Sequence, residues 1–232
     1  MLKAPRNNEM DINESARTMG KLISISGLIS SGKDTAADYL CTVHGFKRMS
    51  FGASLKDAVS VIFNWDRELL EGSTKHSREW REQVDQWWAT RLNIPHLTPR
   101  WVLQQWGTEV ARKGFHDSIW IMSLNRRLVD VKDNVIITDC RFPNEIAAVK
   151  NAGGITMRTH RGAEPNWINL AATYNNNEDQ AERIKAKVLL EEQYGIHASE
   201  YSSVGLEYDF LLDNNKTIDS LHQQLETILT QR

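Results

Sequence analysis

An α/β fold with a parallel sheet is predicted by three observations. Short apolar runs alternate with helical patterns from Lys21 onward, the signature of strands joined by crossover helices. The first run opens into a glycine-rich turn and then a helix. A later run, Val135 to Thr138, ends in a carboxylate, Asp139, as strands that carry a ligand site at their carboxyl end do. The 232 residues fit one domain with insertions. A hydrophobic fraction of 41% and a charged fraction of 25% exclude wholesale disorder.

The elements follow in order. Residues 1–18 are polar and aperiodic and are read as a flexible tail. Met19 could be an alternative start. Residues 19–232 are read as a single domain. Its expected strands are Leu22 to Ser26, Phe46 to Phe51, Val135 to Thr138, Ile155 to Thr159 and Phe210 to Leu212. Expected helices are Asp34 to Thr42, stopped by His44-Gly45, then Ser54 to Phe63, Asn144 to Ala152 and Thr217 to Leu229. Between the second and third strands, residues 64–133 carry no strand signal and read as a helical insertion. Trp80, Val84, Trp87 and Trp88 recur at i, i+4, i+7 and i+8, one face of an amphipathic helix. Further helices are expected over Arg100 to Lys113 and Ser118 to Val131, the first interrupted at Gly107-Thr108 so that backbone groups are exposed. Residues 162–203 form a second insertion with a charged helix, Glu178 to Tyr194. Its polar, loop-rich ends suggest a mobile flap more than core.

Composition narrows the function classes. The 28 basic and 30 acidic residues leave a net charge of -2, which argues against a sequence-blind nucleic-acid binder. No apolar run reaches the roughly 20 residues of a membrane helix. Two cysteines, Cys41 and Cys140, make neither a disulfide framework nor a zinc set. With no signal-peptide pattern at the start, a reducing cytoplasm is expected.

The strongest motif is Gly27-Leu28-Ile29-Ser30-Ser31-Gly32-Lys33-Asp34-Thr35, between a strand and a helix. Gly27 and Gly32 let backbone N–H groups turn inward around an anion, and the helix beginning near Lys33 adds its positive dipole end. Lys33 then reaches the outer phosphates of a nucleotide as a point charge. The residue after the lysine is Asp34, and the threonine comes one place later, at Thr35. Asp34 could orient a magnesium-bound water, hold an arginine, or merely complement the helix dipole. Asp139 is the expected ligand of Mg2+ or of its water. Arg141 leaves the strand end on the same side, and Glu145 opens the next helix; a structural ion pair of these two is the alternative. Arg100 and Gln104 share a helical face, suited to a phosphate and a base edge. Trp120 offers a platform for a base or sugar, unless it is simply a buried helix residue.

In this order, Ser31-Gly32-Lys33-Asp34-Thr35, Arg100, Gln104, Gly107-Thr108, Trp120 and Asp139-x-Arg141 with Glu145 resemble the bacteriophage deoxynucleoside monophosphate kinases. The resemblance runs from about Lys21 to the C-terminus, including His197-x-Ser199-Glu200 and the Asp213-Asn214 turn. It is weak over residues 64–97 and most of the second insertion, and Trp101 replaces a second basic residue that some relatives carry. It implies a P-loop kinase fold: a five-stranded parallel core, a monophosphate-binding insertion (64–133) and a lid (162–203). It implies ATP as phosphoryl donor, bound by Gly27, Ser30, Ser31, Gly32, Lys33, Asp34, Thr35 and Asn214. Arg100, Gln104, Gly107, Thr108, Trp120, Arg141 and Glu145 would contact the deoxynucleotide, with Arg161 approaching from the lid. Mg2+ would sit near Asp139 and Thr35, and Lys33, Arg141, Asp139 and Asp34 would form the catalytic set. The implied partners are small nucleotides rather than polymeric nucleic acid or membrane. A homodimer is compatible, and the host cytoplasm is the compartment for a phage-encoded chain. Two alternatives stay open: a kinase of another phosphorylated acceptor, such as dephospho-coenzyme A, and a non-enzymatic module gated by ATP.

Overall fold

The computed structural model describes residues 20–231. The chain divides into two compact units, one built from residues up to Ser50 together with Leu124 onward, the other from Phe51–Ser123. The expected tail and the Met19 start lie outside the described residues.

The first unit holds a five-stranded sheet: β1 (Leu22–Ser26), β2 (Lys47–Met49), β3 (Val135–Ile137), β4 (Ile155–His160) and β5 (Phe210–Asp213). Their order is β2-β3-β1-β4-β5, and every pairing is parallel. β1 and β3 are buried along their whole length, as expected of inner parallel strands covered on both faces. β2 is shorter than the apolar run suggested. Phe46 and Phe51 are buried but flank the strand, whose Lys47 and Arg48 are exposed at the sheet edge.

Helix α1 (Lys33–His44) follows β1, and the last helix, α11 (Ile218–Thr230), packs beside it. Leu40 of α1 and Leu221, Leu225 and Ile228 of α11 share one core with Ile23, Ile25, Ile136 and Met157 of the sheet. Burying each such side chain contributes roughly 1.5–3 kcal/mol. Helix α7 (Pro143–Asn151) packs on β1 and β4 and joins β3 to β4. Because β1 connects toward β2 and β3 connects toward β4, right-handed crossovers put α1 and α7 on opposite faces. This is the five-stranded parallel sheet flanked by helices that the sequence predicts.

The second insertion carries more packing than its polar ends suggested. It contains α8 (Ile168–Asn176), α9 (Gln180–Val188), which widens into a π-helical turn over Leu189–Gln193, and the short α10 (Ala198–Tyr201). Ala171, Leu190, Tyr201 and Val204 form a buried cluster of their own. The asparagine run is structural: Asn175 Nδ2 donates to the carbonyls of Tyr201 and Val204 at 2.9 and 2.7 Å. Buried side chains and satisfied backbone are core features, so this segment is not a bare flap.

The second unit is helical. It contains α2 (Ala53–Phe63), α3 (Lys75–Arg81), α4 (Gln86–Leu92) and α5 (Pro99–Gln104), and the first residues of α6 (Ile119–Leu128). The tryptophan stripe is carried by two helices rather than one. Asp85 stands between them and caps α4, its carboxylate accepting from Trp88 N at 3.1 Å. The stripe still packs together: Trp80, Val84 and Trp88 join Trp101 and Trp106 around buried Phe63 and Trp65. Trp87 faces outward beneath the guanidinium of Arg91, 3.8 Å from its ring centre. Gly107-Thr108 does not interrupt its helix. The chain continues from α5 as a π-helix over Gln105–Lys113, and both residues are buried. A leucine side chain explains the glycine: a Cβ on Gly107 would meet Leu55 Cδ2 at 2.9 Å.

Candidate active site

The loop between β1 and α1 is shaped by three residues with positive φ: Gly27 (152°), Ser30 (64°) and Gly32 (96°). Gly27 is required by space as well as by conformation. A Cβ there would come 2.5 Å from Ser31 Oγ and 2.7 Å from the Thr159 carbonyl of β4. The loop is braced from β5, since Asn214 Nδ2 donates to the Ser31 carbonyl at 2.9 Å. Gly32 precedes α1 without offering a side-chain cap to its first turn. Ser31 Oγ is buried with no hydrogen-bond partner. Uncapped first-turn N–H groups and an unpartnered hydroxyl suit an anion with several oxygens.

Charged side chains gather at the carboxyl ends of β1 and β3, which are hydrogen-bonded neighbours. Ser26 Oγ donates to the Cys140 carbonyl at 2.9 Å and ties the two strand ends together. Burial pushes the Lys33 ammonium below its ordinary value. Asp34, Glu200 and Asp139 act against that shift, while Arg141 reinforces it. Burial also opposes the charge on Arg141, yet Glu200, Asp139 and Glu145 hold its guanidinium above its ordinary value. Arg141 Nη1 donates to Glu200 Oε1 at 3.0 Å. Asp139 Oδ2 accepts from Ser50 Oγ at 2.6 Å, and the Ser50 carbonyl accepts from Arg127 Nη2 at 2.8 Å. Burial pushes the neighbouring Cys140 thiol well up, so it stays protonated.

The Asp34 carboxylate is exposed and lies within ion-pair distance of Arg48, whose guanidinium bonds the Asp38 carboxylate more closely, at 2.9 Å. Arg48 of β2 donates to the Asp34 carbonyl at 3.1 Å and lies 3.7 Å from its carboxylate. Glu145 is 3% exposed, and its Oε2 accepts from the backbone N–H groups of Arg141 and Phe142 at 2.7 and 3.1 Å. That carboxylate caps α7 and fixes the backbone from which Arg141 springs. Arg161 is exposed just beyond β4, and Thr35 is exposed in the first turn of α1.

Among the described residues no three His, Cys, Asp or Glu side chains gather as a metal cage. A single strand-end carboxylate beside a phosphate loop does suit Mg2+, which keeps several waters and takes phosphate oxygens as ligands.

The second unit holds the other predicted residues. Trp120 is half-buried, and its indole N–H donates to the Gly107 carbonyl at 2.8 Å. Gly107, Thr108 and Trp120 therefore form one local arrangement, although they are well separated in sequence. Arg100 in the first turn of α5 and Gln104, its last residue, lie one turn apart, and Arg100 Nη1 sits 3.4 Å from Glu82 Oε1.

Two viral proteins are similar to this chain. A protein of Acanthamoeba polyphaga mimivirus that carries the provisional name of a deoxynucleotide monophosphate kinase is 28% identical over 216 residues, covering 88% of this chain and 93% of its own length. The deoxynucleoside-5'-monophosphate kinase of Escherichia phage T5 is 37% identical over 62 residues, 26% of this chain and 25% of its own. The chain resembles the viral deoxynucleoside monophosphate kinases. No family model matches it. Among solved structures, TT1252 from Thermus thermophilus aligns over 92% of this chain and 98% of its own, with a TM-score of 0.46 at 15% identity. Shikimate kinase from Aquifex aeolicus aligns over 90% and 96%, with a TM-score of 0.38 at 14% identity.

Sequence reasoning missed Ser50, Arg48 and Arg127. Ser50 follows an edge strand and bonds to a carboxylate 89 positions away, which no local pattern signals. Glu200 was visible only as part of His197-x-Ser199-Glu200, without a role. No helix among the described residues is long and apolar enough to cross a membrane.

Proposed function

We propose that this chain is an ATP-dependent deoxynucleoside monophosphate kinase, transferring the γ-phosphoryl group of ATP directly to the monophosphate. The observation that carries the reading is the meeting of a phosphate loop, Lys33, Asp139 and Arg141 at the ends of two adjacent parallel strands. The names of the two viral relatives supply the acceptor class. Phosphotransfer asks for alignment and charge neutralisation rather than for a protein nucleophile, and the site is rich in fixed positive groups. A monophosphate loses its second proton near pH 6, as a rough value, so it is already a dianionic nucleophile at neutral pH and needs no general base.

The residues divide the work between donor, metal and acceptor. Gly27, Ser30, Ser31, Gly32 and Thr35 bind the donor phosphates, with Asn214 holding the loop in shape. Lys33 takes the outer phosphates. Arg141, joined by Arg161, meets the charge that spreads over the transferring oxygens. Asp139 and Thr35 would hold Mg2+, with Ser50 orienting the Asp139 carboxylate and Arg48 holding Asp34 beside the loop. Bound there, the metal would neutralise phosphate charge. Arg100, Gln104, Gly107, Thr108 and Trp120 contact the acceptor, and Glu145 contributes by fixing the Arg141 backbone. The 64–133 segment is assigned to the acceptor and the 162–203 segment to the lid.

An ADP-release assay with a panel of monophosphates tests this. Turnover with deoxynucleoside monophosphates supports it. Turnover only with dephospho-coenzyme A or another phosphorylated acceptor reassigns the substrate, and ATP binding with no turnover on any acceptor favours a nucleotide-gated module.

A further inference from the structure

We infer that Glu200 is the positioning residue for Arg141, holding one edge of its guanidinium so that the other edge meets the transferring phosphoryl group. The inference rests on the kinase reading of the site. Arg141 Nη1 donates to Glu200 Oε1 at 3.0 Å, and among the described residues the other guanidinium donors have no protein partner. A guanidinium carries five N–H donors in a rigid plane. One carboxylate contact at Nη1 therefore fixes the plane while leaving donors for oxygens of a substrate. A carboxylate serving only as a mobile counter-ion would gain by spanning two donors, as arginine–carboxylate pairs commonly do.

Both ends of the pair are anchored. The Arg141 backbone is held by Glu145, whose Oε2 accepts from Arg141 N at 2.7 Å. Glu200 stands in α10, one residue before Tyr201, a fully buried side chain of the insertion's cluster. Tyr201 Oη donates to Glu191 Oε1 at 2.8 Å, and its carbonyl accepts from Asn175 Nδ2 at 2.9 Å. His197 Nδ1 accepts from Ser199 N at 3.2 Å and caps the turn that presents Glu200. The Glu200 side chain is 17% exposed and that of Arg141 42%, so the carboxylate is sheltered while the guanidinium keeps an open side. His197-x-Ser199-Glu200 thereby acquires a physical role, because the 162–203 insertion reaches the reacting centre through a carboxylate whose object is Arg141.

The test is a double-mutant cycle on the full chain with Arg141→Ala, Glu200→Ala, Glu200→Gln and Arg141→Ala/Glu200→Ala. It is read as kcat and KM with ATP and a deoxynucleoside monophosphate, and as ATP affinity by calorimetry without acceptor. Misplacing a reacting group by about 1 Å costs up to about 100-fold in rate. Glu200→Ala should therefore lower kcat about 10- to 100-fold and weaken ATP binding about threefold or less. Glu200→Gln keeps an accepting oxygen and should restore much of kcat. The double variant should be no worse than Arg141→Ala, because Glu200 acts through Arg141. Losses that multiply in the double variant would overturn the inference. So would tighter ATP binding with undiminished kcat in Glu200→Ala, which would make Glu200 a competitor of the phosphates. If Glu200→Ala unfolds, the same cycle with Glu200→Ser, which also removes the carboxylate, decides. If the wild type phosphorylates no monophosphate, the kinase reading fails, and the ATP affinities still score the pair: weaker and non-multiplicative supports positioning, tighter or multiplicative rejects it.

Discussion

Replacing Gly32 by alanine would put a Cβ 2.0 Å from Asn214 Nδ2 and ask an L-residue to hold φ at +96°. The backbone strain costs about 1–2 kcal/mol. The collision is with the end of a side chain, so Asn214 can swing away, but it then gives up its bond to the Ser31 carbonyl. That loss is worth about 0.5–1.5 kcal/mol. Gly32→Ala should therefore destabilise the protein by roughly 1.5–3.5 kcal/mol, strain and lost bond together. At about 2–4 °C per kcal/mol for a chain of this size, the melting temperature should fall by about 3–14 °C. Asn214→Ala alone should cost only the hydrogen bond. The double variant should lose less than the two singles combined, by about the value of that shared bond. Thermal unfolding with and without MgATP reads both parts. At ATP near 100 times its Kd, binding stabilises the wild type by about 2.7 kcal/mol, and Gly32→Ala should lose most of that gain. Strict additivity of the two substitutions, or a full MgATP shift in Gly32→Ala, would refute the reasoning that Gly32 and Asn214 jointly shape a phosphate loop.

Three other outcomes are expected. Asp139→Asn should weaken activity more at limiting than at saturating Mg2+, and an equal loss at both would remove the metal role. Trp120→Ala should narrow the preference for a deoxy over a ribo monophosphate, measured as a ratio of kcat/KM. If the tryptophan face desolvates a 2′-hydroxyl at a cost of roughly 1–3 kcal/mol, the wild-type preference is about 5- to 150-fold, and an unchanged ratio in the variant rejects sugar selection. Glu226 accepts hydrogen bonds from Tyr39 at 2.5 Å and lies 2.6 Å from His44 Nε2, and those bonds hold its carboxyl below its ordinary value of 4.5. Its stabilising contribution is present above pH 4.5 and is lost as pH falls through the lower folded value. Glu226→Gln should flatten the acid limb of the melting-temperature profile, and an unaltered limb would assign acid sensitivity to other groups.

The sheet was legible because buried parallel strands read as apolar runs: Leu22 to Ser26 matches β1 residue for residue. The edge strand was overdrawn because Phe46 and Phe51 are apolar for reasons of local burial rather than pairing. Helical periodicity located the tryptophan stripe but could not see that one helix stops at Arg81 and Asp85 caps another, since Trp80 and Trp88 pack on the same cluster either way. Gly107 looked like an interruption because glycine is a poor helix former; the close approach of Leu55 that explains it is tertiary. The loop, Asp139 and Arg141 could be picked out from residue type and strand context. Their supports could not, because Ser50, Glu200 and Asn214 act across distances in sequence of 89, 59 and 183 residues.

Transfer of the labelled γ-phosphoryl group of ATP is the most direct measurement of the central claim. With a deoxynucleoside monophosphate and Mg2+, the account predicts that the label appears on the β-phosphate of the deoxynucleoside diphosphate, and that folded Lys33→Ala forms none. Label released only as inorganic phosphate, or near-native transfer by folded Lys33→Ala, would contradict it.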